Sequence, residues 1–142
     1  MNLHTEIEIN APANKVWQAL TDFSKYPEWN PFIPKAQGEI KSGERLEVHL
    51  NPPEGSGMTF RPRLLNVEAN QELRWLGHLL IPGLFDGEHV FQVQAIDENR
   101  TRFIQEENFK GILVPLLKKS LNTGTKQGFI QMNEALKKRV EQ

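Results

Sequence analysis

The chain has no cysteine among its 142 residues. That absence excludes disulfides, thiolate metal sites and cysteine nucleophiles together, and leaves the redox compartment unread. Net charge is also nearly absent, at a formal −1. No overall field therefore draws the molecule to nucleic acid or to an anionic membrane, and no nucleic-acid partner is expected. No apolar run approaches the roughly 20 residues needed to cross a bilayer. Met1 to Asn10 alternates polar and apolar residues and lacks the continuous apolar core of a signal peptide. The expectation is a cytoplasmic protein without stable membrane insertion. G-x-S-x-G, P-loop and dinucleotide-binding glycine patterns are missing, and Gly55-Ser56-Gly57 is too short and isolated to hold a phosphate. His4, His49 and His78 stand at no metal-ligand spacing, so neither a metal nor a cofactor is expected.

What is present is ordinary for a soluble globular chain: 38% hydrophobic and 25% charged residues, in a length that suits one domain spanning 1–142. The alternation of Ile7 and Ile9 with Glu6 and Glu8 predicts a half-buried strand, stopped at Asn10-Ala11-Pro12 because proline has no amide proton to give a ladder. Val16, Trp17 and Leu20 have helical spacing, with Trp17 expected in the core. Thr21 or Asp22 is placed to cap a second short helix carrying Phe23 and Tyr26, which Pro27, Pro31 and Pro34 should end. Strands then follow with short turns, over Lys35 to Ile40, Arg45 to Leu50, Met58 to Ala69, Glu72 to Leu80, Phe85 to Ile96 and Thr101 to Lys110. A flexible turn is expected over Asn51 to Gly57. Short connections predict an antiparallel meander of about seven strands.

From about Pro115 to Val140 the apolar positions Leu117, Leu121, Phe129, Met132, Leu136 and Val140 recur at helical spacing. Gly124 and Gly128 fall mid-helix and mark either a kink or a close approach to the backbone. Lys137, Lys138 and Arg139 complement the dipole at its end. The fold class is α+β: a curved antiparallel sheet with two short helices after the first strand, and one long C-terminal helix to cover its open face.

Three stretches resemble a known family: N-A-P-A-N-K-V-W-Q-A-L-T-D-F-S-K-Y-P-E-W-N-P at Asn10 to Pro31, L-R-W-L-G-H-L-L-I-P-G-L-F-D-G-E-H-V-F at Leu73 to Phe91, and E-E-N-F-K-G-I-L-V-P-L-L at Glu106 to Leu117. They are similar to the START-like superfamily known as SRPBCC, in its polyketide cyclase/dehydrase and lipid-transport branch. The resemblance implies a helix-grip fold with a deep cavity between sheet and C-terminal helix. It implies a small hydrophobic partner such as a lipid, a polyketide-like aromatic or an isoprenoid. It is far less specific for function, because the family holds carriers, cyclases, dehydratases and regulatory modules.

Strand parity offers an independent argument for which side chains face inward. Phe91 and Val93 share a face with His89, and Phe103 and Phe109 share one with Gln105 and Glu107. If the two inner faces coincide, Val93 opposes Phe103, Phe91 opposes Gln105, and His89 opposes Glu107. Such a pair could move protons as general acid and base. Equally, it could satisfy itself in the core or anchor a ligand hydroxyl or carbonyl. The candidate ligand contacts are Trp29, Phe32, Phe60, Trp75, His89, Phe91, Phe103, Gln105, Glu107, Phe109, Leu113 and Leu117, with His89 and Glu107 the catalytic candidates. Most of these aromatics are also explained by plain core packing. The apolar loop Leu79 to Phe85, interrupted by Pro82-Gly83, gates ligand entry or touches a membrane or partner, or else packs as a hairpin tip on the end of the long helix. A carrier, an enzyme on the same scaffold and an interaction module all remain open.

Overall fold

The structure, a computed structural model, describes residues 1–53 and 55–142; Glu54, inside the turn expected over 51–57, lies outside the described residues. Strand β1 (Asn2–Ile9) buries Leu3, Thr5 and Ile9 and exposes its glutamates, as its alternation requires. Pro12 ends it and precedes α1 (Ala13–Thr21), which buries Val16 and Leu20. Trp17 is only half-buried, at the rim of the core and not inside it. A 3-10 turn (Phe23–Lys25) leads into α2 (Tyr26–Trp29). Asp22 caps neither: its carboxylate accepts the Ser24 hydroxyl at 2.6 Å. Pro27 lies in the first turn of α2 and does not end it, a position where its missing donor costs nothing.

The remaining strands are β2 (Lys35–Gln37), β3 (Glu47–Leu50), β4 (Met58–Phe60), β5 (Arg63–Glu68), β6 (Glu72–His78), β7 (Asp86–Asp97) and β8 (Arg100–Lys110). They form a five-stranded sheet in the order β1-β8-β7-β6-β5 and a three-stranded sheet β2-β3-β4, antiparallel throughout. The expected seven strands in one sheet are thus eight in two. The extra break falls in the stretch 58–69, where Pro62 has no amide to continue a ladder. Its carbonyl instead accepts Leu46 N–H at 2.9 Å, and Leu64 N–H reaches Glu44 O at 2.8 Å, which stitches the small sheet to the large one.

The C-terminal rod is three helical pieces in continuous sequence: α3 (Val114–Ser120), a π-helical turn (Leu121–Thr125) and α4 (Lys126–Glu141). The close approach expected at one of its glycines occurs at Gly128. Gly124 lies inside the wide π turn, where one extra residue is accommodated. At Gly128 the Phe32 ring occupies the place of a Cβ. Helix α4 packs on β1 and α1, burying Phe129, Met132 and Leu136 against Phe91 and Phe103 of the sheet in one core cluster.

Candidate ligand site

Strands β7 and β8 pair in the register that parity suggested: Val93 opposite Phe103, Phe91 opposite Gln105 and His89 opposite Glu107. On the other side of β7, Trp75 of β6 stands opposite His89. The imidazole stacks on Phe91 at 4.3 Å and meets the Phe129 edge at 4.9 Å and the Trp75 ring at 5.5 Å. Its two nitrogens have separate partners. His89 Nδ1 lies 3.0 Å from Glu107 Oε1, and Nε2 lies 2.9 Å from Gln105 Oε1. The side chains are 4% and 15% exposed for His89 and Glu107, so the pair runs from a dry interior toward its edge.

Hydrogen-bond logic assigns the protons. Gln105 Nε2 donates to the Phe129 carbonyl at 3.3 Å and to Asn133 Oδ1 at 2.8 Å. A backbone carbonyl only accepts, so the amide is fixed with Oε1 toward His89, and His89 Nε2 must be the donor. Asn133 Nδ2 donates in turn to Thr5 Oγ1 at 2.9 Å, and the Thr5 hydroxyl donates to Gln105 O at 3.2 Å. With Nε2 committed, the 3.0 Å contact between Nδ1 and Glu107 needs a proton of its own. The pair therefore holds it in common, either as imidazolium and carboxylate or as neutral imidazole and acid. Glu107 Oε2 accepts no hydrogen bond from the described residues. It lies over Gly87, where any Cβ would collide with it.

The expected ligand contacts divide into two groups. Trp75, Phe91, Phe103, Gln105 and Phe32 are fully buried; not even a water-sized space adjoins Phe91, Phe103 or Gln105, each 0% exposed. The deep cavity implied by the resemblance is therefore filled at this level by the side chains meant to line it, because the rings of Trp75, His89, Phe91, Phe103 and Phe129 close on one another in edge-on and stacked contacts. Toward the edge, Glu107, Leu113 and Leu117 are half-buried, and Phe85 stacks on Phe109 at 5.4 Å. Phe60 is half-buried against Gly77. Trp29 is not at this site: it lines a surface depression of about 240 Å³ between α1 and the end of α4, with Lys15, Asp22 and Arg139. A second depression, of about 630 Å³, runs over the Glu68–Glu72 turn and Gln92 and Gln94. Among the described residues no cluster of histidine and acidic side chains is arranged to hold a metal.

Three participants escaped the sequence reading. Thr5 shares parity with Leu3 and Ile9 in β1, and Asn133 lies one turn from Phe129 inside the apolar stripe of α4; a polar residue on a buried face was the available signal in both. Gly87 carried no such signal, since only the position of Glu107 explains it.

The sequence matches the profile of the family described as "Polyketide cyclase / dehydrase and lipid transport" over residues 1–141. The chain belongs to this family. Solved structures share the polyketide cyclase/dehydrase fold across nearly the whole chain. An aromatase/cyclase, ZhuI, from Streptomyces superposes with a TM-score of 0.81 at 16% identity, covering 99% of this chain and 93% of its own. A START superfamily protein from Mycobacterium smegmatis gives 0.75 at 19%, covering 99% and 97%. Norcoclaurine synthase from Thalictrum flavum gives 0.75 at 14%, covering 99% and 94%. At these identities the likeness concerns fold alone. One curated relative, oxopyrrolidines biosynthesis cluster protein O of Penicillium oxalicum, is 33% identical over 72 residues. That match takes in 42% of this chain and 34% of the relative, about a third of its length. No helix is long and apolar enough to cross a membrane.

Proposed function

We propose that the chain binds a small, mostly apolar molecule bearing a hydroxyl, which donates to Glu107, at the half-buried end of the His89–Glu107 pair. Phe85, Phe109, Leu113 and Leu117 would supply the apolar contacts. The observation that carries this reading is Glu107 itself: one carboxylate oxygen is held by a buried histidine, while the other has no partner among the described residues at the edge of an aromatic interior. Few convergent polar groups in a largely apolar wall are the usual means of orienting such a ligand. Lipid transport and polyketide chemistry in the family description both concern molecules of this kind.

Native mass spectrometry of the freshly purified chain tests the proposal. The expected result is a copurifying small molecule that is retained by Glu107→Gln, which keeps an accepting oxygen, and lost when Leu113 and Leu117 are both replaced by aspartate. Apo protein that takes up no apolar hydroxylated compound would overturn it.

A second reading has its own observation, the proton held in common by His89 and Glu107. A pair of this kind can accept a proton from an activated carbon and return it to a departing hydroxyl, as cyclisation or dehydration of a polyketide-like substrate demands. The fold likeness to an aromatase/cyclase supports it. The two readings part on one variant. A carrier keeps its ligand affinity in Glu107→Gln, whereas an enzyme loses turnover by roughly 10²-fold or more.

A further inference from the structure

Large apolar side chains are exposed together at one end of the molecule. Leu80 is 86% exposed, Ile81 63%, Ile112 75% and Leu116 80%. They come from two segments that the backbone ties side by side: Ile112 N–H donates to Gly83 O at 3.1 Å and Leu113 N–H to Leu84 O at 3.0 Å. Leu116 lies in the first turn of α3, just after Ile112 and Leu113. We propose that this tip is a docking surface for an anionic lipid bilayer, with the four side chains entering the headgroup boundary. The proposal does not rest on ligand binding at Glu107.

Two features of the tip are explained by docking. Leu80 has a φ of +64°, a conformation in which a bulky residue is an outlier and glycine or asparagine would be cheaper. An apolar residue is thus held out into solvent at a strained position. The charge around the tip also departs from that of the molecule as a whole. Residues 78–85 and 110–120 contain Lys110, Lys118, Lys119 and His78 and no acidic residue, in a chain whose net charge is −1. All three lysines are exposed and none forms an ion pair among the described residues. The nearest acid in sequence, Asp86, is occupied by His78 and by the Gly83 amide. A protruding apolar knob collared by unpaired lysines fits the interface of a bilayer carrying anionic lipid. These four residues project from turns and a helix face.

The test is sedimentation of the full chain with vesicles of phosphatidylcholine alone and of phosphatidylcholine mixed equally with phosphatidylglycerol. Binding is expected only to the mixed vesicles and should weaken as salt is raised. Lys118→Gln with Lys119→Gln should lower partitioning roughly 25-fold, about fivefold per lysine. Leu80→Asp with Leu116→Asp should abolish it while the melting curve is retained, because both side chains are solvated in the fold. Failure to bind the mixed vesicles would overturn the proposal, as would undiminished binding by the leucine variant. A concentration-dependent dimer that the leucine variant loses would also overturn it, because the tip then buries against a second copy. Because the assay needs no bound ligand, its outcome is independent of the ligand proposal.

Discussion

Glu107 owes its position to a residue that has no side chain. Its Oε2 fills the space over Gly87, so Gly87→Ala forces the carboxylate aside. Backbone freedom is not the issue, and the added methyl favours the strand by roughly 0.5–1 kcal/mol. The variant should therefore stay folded and yet bind its ligand about two- to tenfold more weakly, the loss of one hydrogen bond of roughly 0.5–1.5 kcal/mol. Titration calorimetry beside a thermal melt separates the two effects; unchanged affinity would remove Glu107 from the ligand contacts. Gln105 is the opposite case, a residue whose role is internal. Gln105→Leu strands His89 Nε2–H and Asn133 Oδ1 in a place without water, so urea denaturation should show a loss of at least about 2 kcal/mol. Parity alone paired His89 with Glu107, because alternation along two adjacent strands leaves few registers that keep both phenylalanine faces inside. It could not reveal the third layer: Asn133 and Thr5 are 128 residues apart, and only α4 lying across β1 brings them together.

At the scale of elements, the long helix is positioned by a glycine. Gly128 lets the Phe32 ring lie directly on the α4 backbone, with Phe129 edge-on at 5.5 Å. Alanine there would raise helix propensity but push into a ring that has no room to retreat. Gly128→Ala is expected to cost about 1–3 kcal/mol, as overpacking does, and equilibrium denaturation checks the sign against the propensity gain. The loop between β6 and β7 is fastened differently. Asp86 is held below its ordinary carboxylate value of 3.8, first by the hydrogen bond from His78 and then by the Gly83 amide. A carboxyl lowered by folding stabilises the fold above 3.8 and loses that contribution as pH falls through the lower folded value. The Gly83 amide resonance should accordingly titrate with a midpoint below 3.8 and should not titrate in Asp86→Asn. Of these elements, the periodic ones were legible in sequence: β1, α1, the β7–β8 hairpin and α4 follow directly from spacing. The break at Pro62, the π turn and the half-exposed Trp17 were not, because each depends on which neighbour the chain meets after folding.

At the scale of the whole molecule, the packed interior constrains how any ligand gets in. Phe91, Phe103 and Phe129 are each 0% exposed beside His89, so a ligand would enter from the edge, where Phe85 stacks on Phe109 and Leu113 is tied to Leu84. That edge is closed by the two backbone hydrogen bonds from Ile112 and Leu113 to the 83–84 turn. Two short links between loops are weaker than the continuous β7–β8 ladder, and such segments open locally while the core stays shut. Hydrogen exchange should therefore find the Ile112 and Leu113 amides far less protected than those of Phe91 and Gln105 in the empty protein. A ligand that binds the closed form and not the open one adds RT ln(1 + [L]/Kd), so at about 100 times Kd it should slow those two amides about 100-fold, equivalent to about 2.7 kcal/mol. The core amides should change much less until global unfolding governs them. Equal protection of gate and core in the empty chain would mean that entry requires unfolding of the sheet. Protection gained elsewhere, with Ile112 and Leu113 unchanged, would move the door away from the tip.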